Sequence, residues 1–212
     1  METIQNAKQG NIAFAICDAI HNNAAYLSEI DGATGDGDHG VNMNKGFLMA
    51  KDRIQEDMSL SEAMKVISRT LVEDIGGSMG PIYGTMFSRL SRGLKAYDEV
   101  SKDIFLDALQ SSLEGLCDLA GASVGDKTLI DTLDPAITSY KQALQQGKSF
   151  KECLIELKIG AENGKENTKT LVAKIGRAAR LGERSRGFLD AGATSCCIIL
   201  CTMADVMIEE LQ

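Results

Sequence analysis

Apolar residues recur every three to four positions along most of the chain, a pattern typical of helices that bury one face. We predict a first helix from Asn11 that extends towards residue 30, a second over residues 41–54, a third opened by the capping box Ser59-x-x-Glu62 and ended near Gly76, and a fourth that begins at Pro81. A fifth begins near Ser101, a sixth covers residues 129–144 around Pro135, a seventh follows the capping box Ser149-x-x-Glu152 towards Leu171, and an eighth runs from Ser195 to about Leu211. With about eight helices and no convincing strand, the sequence predicts a single all-α domain over residues 1–212.

The loop between the first two predicted helices is strongly acidic. Asp31, Asp36 and Asp38 fall within eight residues, and glycines between them let the backbone bend so that the carboxylates can point at one spot. Carboxylates this close raise one another's pKa unless a cation lies among them. The loop therefore predicts a site for a hard divalent cation, and magnesium fits because it takes oxygen ligands from a few carboxylates, water and substrate phosphates.

Three familiar motifs fail on inspection. Residues 35–40 match G-x-G-x-x-G, but no strand precedes them as a dinucleotide-binding fold requires. A calcium loop starting at Asp36 would place Val41 at the turn glycine and Phe47 at the bidentate glutamate. The stretch Gly125-Asp-Lys127-Thr is not a P-loop, because Asp126 separates the glycine from the lysine.

Two further loops carry features that suit anions, each with a structural alternative. The glycine-rich turn over residues 76–84 enters a helix and could present bare amides to phosphate, or its glycines could permit close helix packing. Residues 175–194 are basic and glycine-rich. Their arginines could neutralise phosphate, or they could pair with local carboxylates in a solvated loop.

Composition narrows the class of protein. A net charge of -8 and a pI near 4.9 argue against nucleic-acid and anionic-membrane partners. We see no apolar stretch of about 20 residues and no signal-peptide core, so we expect a cytoplasmic protein. The six cysteines lack paired C-x-x-C spacing, and we interpret them as buried thiols.

Taken together, the motifs resemble the nucleotide-binding L subunit of dihydroxyacetone kinases (the DAK2 domain family), and the resemblance covers nearly the whole chain. It rests on Gly35-Asp-Gly-Asp-His-Gly-Val-Asn-Met-Asn44, Gly76-Gly-Ser-Met-Gly-Pro-Ile-Tyr-Gly84, Gly125-Asp-Lys-Thr128 with Asp131 and Pro135, Gly176-Arg-Ala178, Leu181-Gly-Glu-Arg-Ser185 and Asp190-Ala-Gly-Ala-Thr-Ser195, in that order. The resemblance implies a barrel of eight antiparallel helices with ADP or ATP bound by loops at one end.

The resemblance also implies roles for individual residues. Asp31, Asp36 and Asp38 would hold two magnesium ions and, with Arg177, carry the catalytic electrostatics. Nucleotide contacts would come from His39, Asn42, Gly77, Ser78, Met79, Leu129, Arg177, Asp190 and Gly192. Related chains usually have a small residue at Met79 and Gly-His-Gln-Asp-Pro-Gly where this chain has Gly187-Phe-Leu-Asp-Ala-Gly192, so the departures fall on the nucleotide lid.

The implied reaction is phosphoryl transfer to the terminal hydroxyl of dihydroxyacetone held on a separate K subunit. The expected donor system is the phosphoenolpyruvate phosphotransferase system, acting through a phosphohistidine-carrying M subunit, and a transcriptional regulator is a further possible partner. Two alternatives stay open: an ATP-dependent kinase subunit for another small ketose such as a tetrulose, and a non-catalytic nucleotide-bound adaptor that binds a regulator.

Overall fold

A computed structural model describes residues 2–212 of the chain, which form a largely helical domain. Within these residues the helices are α1 (Gly10–Asn22), α2 (Ala24–Thr34), α3 (His39–Lys51), α4 (Leu60–Asp74), α5 (Met79–Leu94), α6 (Lys102–Ala120), α7 (Ile130–Gln145), α8 (Phe150–Asn167) and α9 (Ala191–Glu210). Short 3-10 helices cover Thr168–Thr170 and Arg177–Ser185, and two strands, β1 (Thr3–Gln5) and β2 (Glu99–Ser101), complete the chain. The predicted all-α class is confirmed.

Both predicted capping boxes are present. The Ser59 hydroxyl accepts a hydrogen bond from the Glu62 amide at 3.2 Å, and the Glu62 carboxylate accepts one from the Ser59 amide at 3.0 Å. Ser149 and Glu152 repeat the arrangement at the start of α8. These reciprocal bonds satisfy amides that a helix start leaves without partners, which is why the two starts were readable from sequence.

Several predicted boundaries were wrong. The first predicted helix is two helices, because Asn23 interrupts it and its side chain donates to the Ala19 carbonyl at 2.8 Å. The last helix begins at Ala191 instead of Ser195, since the Asp190 side chain caps it by accepting from the Ala193 amide. Pro81 is the third residue of α5 and not the first.

The expectation of no strand was also wrong, on a small scale. β1 pairs antiparallel with β2, placing Ile4 opposite Val100, and both side chains are fully buried. Three-residue strands are too short to show an alternating pattern in the sequence. The pair joins the N-terminus to the start of α6.

The helices pack on one another in a series that returns to its start. Each of α3 to α8 packs on the next helix in chain order, α9 packs on α1, and α1 packs on α3, while α2 lies against α3 and α9. One continuous apolar core fills the space between them. Loops at the ends of these helices are therefore held on a rigid frame.

Helix α9 corrects the expectation that the chain has no apolar stretch of about the length of a membrane span. The helix has 20 residues, and a stretch of 18 of them has a mean hydropathy of 1.8, so it is long and apolar enough to cross a membrane by length and composition. In the fold, 61% of that stretch is buried inside the protein, and core helices commonly pass the same test. Of the six cysteines, all free, four are buried as predicted, whereas Cys117 and Cys201 are half-buried.

Candidate functional site

A cavity of about 310 Å³ opens where four segments of the chain meet. The segments are the α2–α3 loop, the turn before α5, the turn before α7, and the stretch from residue 175 to the start of α9. All twelve residues predicted for the site line this cavity: Asp31, Asp36, Asp38, His39, Asn42, Gly77, Ser78, Met79, Leu129, Arg177, Asp190 and Gly192. A second groove of about 430 Å³, between α4, α5 and α6, contains none of them.

The three acidic side chains converge at the cavity. Asp31 lies in the last turn of α2, and Asp36 and Asp38 lie in the loop to α3. One carboxylate oxygen from each lies within 4.8 Å of those of the other two. A Cβ at Gly35 would sit 2.5 Å from Asp31 Oδ1, so only glycine lets the chain turn this tightly beside the carboxylate.

Arg177 lies against this acidic cluster. Its guanidinium forms an ion pair with Asp36 and approaches Asp38 at 3.8 Å. The resemblance predicted a nucleotide contact and an electrostatic role for Arg177, and in the structure Arg177 lines the cavity as a counter-ion to the aspartates. A single cation against three carboxylates leaves the cluster negatively charged.

His39 is oriented from both sides. Its amide donates to Asp31 Oδ2 at 3.2 Å, and its ring Nε2 is 2.9 Å from the Ser195 hydroxyl. Tyr83, which is buried, is hydrogen-bonded to the same hydroxyl at 2.5 Å and donates to the Gly192 carbonyl at 3.0 Å. Burial lowers the pKa of His39, and the charge of Asp31 opposes that shift only in part, so the imidazole is held neutral beside the acidic loop.

Asp190 joins the cavity to α9. Its Oδ2 accepts from the Ala193 amide at 2.7 Å, which caps the helix. Burial raises the pKa of Asp190 to about 6, the Ala193 hydrogen bond and the charge of Lys127 lower it, and Asp131 and Asp31 add to the rise. The carboxyl therefore titrates just below neutral pH.

Lys127 is almost completely buried, with 1% of its surface exposed, and sequence analysis did not assign it to the site. Its ammonium donates to the carbonyls of Ser185 at 2.6 Å, Phe188 at 2.8 Å and Leu171 at 3.3 Å. The lysine thus fastens the segment that carries Arg177 to the turn before α7. Because its donors are used on backbone carbonyls, Lys127 does not act as a P-loop lysine would.

Asp131 shapes that turn. Its two carboxylate oxygens accept from the amides of Gly125 at 2.5 Å and Thr128 at 2.8 Å. Lys127 lies between these amides with a φ of +63°, a left-handed conformation that costs a lysine energy unless its surroundings enforce it. Sequence spacing showed Asp131 as part of a motif but not this function.

The glycine-rich turn contains glycines of two kinds. A Cβ at Gly76 or Gly77 would meet nothing within 4 Å, and Gly77 has a φ of +75°. A Cβ at Gly80 would lie 2.4 Å from the Ile75 carbonyl, and one at Gly84 would lie 2.3 Å from the Val72 side chain. The alternatives left open by the sequence therefore divide by position: Gly80 and Gly84 permit close packing, while Gly76 and Gly77 leave open backbone at the cavity.

The arginines of residues 175–194 also fall into two groups, one at the cavity and one tied to local groups. Arg177 faces the acidic cluster, but Arg186 bonds to the Glu183 carboxylate at 3.1 Å and to the Thr170 carbonyl. Arg186 is therefore tied to local groups, as the solvated-loop alternative supposed.

The donor set suits magnesium. Three carboxylates supply hard oxygen ligands, and the cavity leaves room beside them for phosphate and water, which magnesium usually retains in its shell. The excess negative charge of the cluster gives the physical reason for a cation there.

Comparison with known proteins gives concordant matches. The model of the DAK2 domain matches residues 33–205. The chain is 33% identical over 180 residues to the PEP-dependent dihydroxyacetone kinase, ADP-binding subunit DhaL, of Escherichia coli strain K12, covering 84% of this chain and 86% of the relative. It is 34% identical over 190 residues to the PTS-dependent dihydroxyacetone kinase, ADP-binding subunit DhaL, of Lactococcus lactis, covering 89% and 91%.

Two longer proteins also match. An L-erythrulose kinase of Pectobacterium atrosepticum is 30% identical over 220 residues, which span 98% of this chain but only 37% of the kinase. The crystal structure of the dihydroxyacetone kinase from C. freundii in complex with AMP-PNP and Mg2+ aligns with a TM-score of 0.70 at 23% identity, covering 93% of this chain and 33% of that one. At that identity the structural match supports the fold.

Proposed function

The chain belongs to the DAK2 domain family, and we propose that it is the ADP-binding subunit of a dihydroxyacetone kinase. In this role it is a phosphotransferase component that presents the nucleotide to a substrate held elsewhere. Its relatives of similar length are ADP-binding subunits, and the chain spans 86–91% of the two compared here.

The observation that carries the proposal is the convergence of twelve residues, distant in sequence, on one cavity. The three clustered carboxylates and the open glycine turn at Gly76 and Gly77 both line it. An acidic cluster and open backbone in one cavity suit a metal–polyphosphate ligand, because a metal ion between carboxylates and phosphates offsets charges that would otherwise repel.

Asp31, Asp36 and Asp38 would hold two magnesium ions. Bound magnesium would neutralise the phosphate oxygens and the charge that develops on them during phosphoryl transfer. The chain's own residues would position the ligand: His39 is fixed by Asp31 and Ser195, and the turn at Gly76 and Gly77 leaves open space beside its backbone in the cavity. Arg177, freed from Asp36 by the metal, would supply positive charge at the cavity mouth.

Leu129 and Met79 give the cavity an apolar side suited to an adenine ring. Both are largely buried, at 6% and 8% exposure. Met79 replaces the small residue usual in related chains, so we propose that it narrows this part of the cavity. The expected consequence is slower nucleotide exchange, which suits a subunit that retains its ADP.

The proposed system contains two further proteins. A K subunit would hold dihydroxyacetone, and a phosphohistidine-carrying M subunit of the phosphotransferase system would rephosphorylate the bound ADP in place. We propose that the assembly is cytoplasmic, and that contact with a transcriptional regulator is a secondary role.

The direct test is the substitution Asp36→Asn. It removes one charge from the metal cluster while keeping its size, and we expect Mg-ADP affinity to fall at least about tenfold, or about 1.4 kcal/mol. Isothermal titration at fixed magnesium measures the effect. Asp57→Asn is the matched control, since Asp57 is exposed and lies outside the cavity.

Equal nucleotide affinity and equal magnesium dependence in wild type and Asp36→Asn would refute the assignment.

A second function is supported by the erythrulose kinase match, namely action on a four-carbon ketose. Assays with a K subunit, either phosphoryl donor and either dihydroxyacetone or erythrulose separate the two. Loss of all activity in these mixtures, with nucleotide binding intact, would favour the adaptor.

A further inference from the structure

A second cluster of metal-binding side chains lies where α8 packs on α9. Cys197 and Cys201 stand one helical turn apart on α9, and Glu162 reaches them from α8. A ligand atom from each lies within 4.8 Å of those of the other two. Cys201 lies nine residues beyond Gly192, which corresponds to about 14 Å along the helix, so this cluster is separate from the aspartate site.

The sulfur spacing fits a tetrahedral zinc site. With zinc–sulfur bonds of about 2.3 Å and tetrahedral angles, two thiolates on one zinc ion lie about 3.8 Å apart. The Sγ atoms of Cys197 and Cys201 are 3.8 Å apart. A carboxylate oxygen at about 2.0 Å from the same ion would lie about 3.5 Å from each sulfur, and Glu162 Oε1 is 3.9 Å from the Cys201 sulfur. The three donors therefore need only small movements.

The carboxylate is held in a ligating orientation. Lys165, one turn further along α8, binds the other oxygen of Glu162 at 2.5 Å and leaves Oε1 facing Cys201. Hydrogen bonds of this kind fix a ligand's orientation and strengthen metal sites. Lys165 also lowers the pKa of Glu162, which keeps the carboxylate ionised.

An ion can reach the cluster from solvent. Glu162 is exposed, Cys201 is half-buried, and Cys197 lies behind them with 2% of its surface exposed. This gradient gives an entry path on one side and protein on the other. Water would complete the coordination.

We propose that Cys197, Cys201 and Glu162 bind one zinc ion that clamps α8 to α9. Thiolates select zinc over magnesium, whereas the carboxylate-only site prefers magnesium, so the two sites take different ions. Binding requires loss of the thiol protons, and it would stabilise the helix pair on which Asp190 and Gly192 are carried.

Cobalt(II) is the probe, because its charge-transfer absorption in the near ultraviolet reports thiolate ligands and not carboxylates. The full chain, reduced and metal-free, is titrated with Co2+ and then with Zn2+. We expect a thiolate band that saturates at one ion per chain and disappears when zinc displaces cobalt. Cys201→Ala should abolish the band, and Glu162→Gln should weaken zinc binding at least about tenfold.

Two controls separate this site from the rest of the protein. Cys117→Ala removes a half-buried thiol on α6 and should leave the band unchanged. Asp36→Asn alters the aspartate cluster and should also leave it unchanged, so failure of the nucleotide proposal does not affect the outcome. Because Glu162 is exposed, its variant keeps the fold and tests the site even if a cysteine variant unfolds. A wild-type protein with no thiolate band, or a band that persists in Cys201→Ala, would overturn the proposal.

Discussion

Replacement of the buried Lys127 by methionine should loosen the segment over residues 171–188, which includes Arg177. The ammonium of Lys127 donates to three backbone carbonyls, those of Leu171, Ser185 and Phe188, and these bracket the segment that carries Arg177. Methionine preserves most of the apolar stem, so Lys127→Met removes the hydrogen bonds with little change in packing volume.

The magnitude follows from the contacts. A hydrogen bond to a charged group is worth about 1.5–3 kcal/mol, and the three bonds are offset by the cost of burying the ammonium. Burial lowers the pKa of Lys127, and the charge of Asp190 opposes that shift. We expect a net loss of about 3 kcal/mol in the free energy of opening the segment, which corresponds to about a hundredfold faster amide exchange.

Native-state hydrogen exchange on peptides covering residues 171–188 measures this loss. Lys174→Met is the matched control: Lys174 lies in the same segment, but its side chain is 63% exposed, so its ion pair with Asp126 is worth at most about 1 kcal/mol. Exchange in the core of α4 should change in neither variant. If Lys127→Met and Lys174→Met exchange equally, the lysine does not hold the segment and the argument fails.

Two further predictions test the frame around the cavity. The carboxyl of Asp190 should protonate with a midpoint near pH 6 when followed by carbon NMR, and a midpoint near 4 would contradict the assignment. Because the pKa is raised in the folded protein, the stabilising contribution of Asp190 is complete below about pH 4 and is lost as the pH rises through about 6. Asp190→Asn should therefore make the free energy of unfolding depend less on pH over that range. Gly40→Ala should lower the free energy of unfolding in urea by about 2–3 kcal/mol, because its Cβ would meet the Ala24 carbonyl at a distance no backbone tolerates. Gly76→Ala is the control, because a Cβ there meets open space and should change that free energy little. Equal losses in the two variants would contradict the steric reasoning.

The parts of the fold that could be read from sequence are those encoded locally. The capping boxes at Ser59 and Ser149 fix two helix starts with residues three positions apart, so the signal lies within one turn. The sequence did not predict the break between α1 and α2 at Asn23, because apolar residues keep their helical spacing across it. The early start of α9 escaped because its capping residue, Asp190, lies in a stretch that is otherwise polar and glycine-rich.

The candidate site likewise has features encoded by neighbouring residues and features that depend on distant contacts. The acidic loop is local, and its charge alone indicated a cation site. The contact that orients the His39 ring is not local: Ser195 is 156 residues away, and Tyr83 reaches that serine across 112 residues. No periodicity or spacing reports such a contact. Ser195 and Tyr83 belong to the motifs of the resemblance, but the fold was needed to show that they hold the His39 ring.

The charges at the cavity bear on how many metal ions it takes. Asp31, Asp36 and Asp38 face one guanidinium, that of Arg177, while Lys127 and Asp190 roughly offset each other. One divalent ion would cancel the net charge of the protein groups and leave nothing for the phosphates, whereas a second ion would offset most of the phosphate charge as well. We therefore expect ADP affinity to rise with roughly the second power of magnesium concentration below saturation. Titrations of ADP at a series of magnesium concentrations measure this order. A first-power dependence would mean that the chain binds one ion with its nucleotide, and that Arg177 supplies the remaining positive charge.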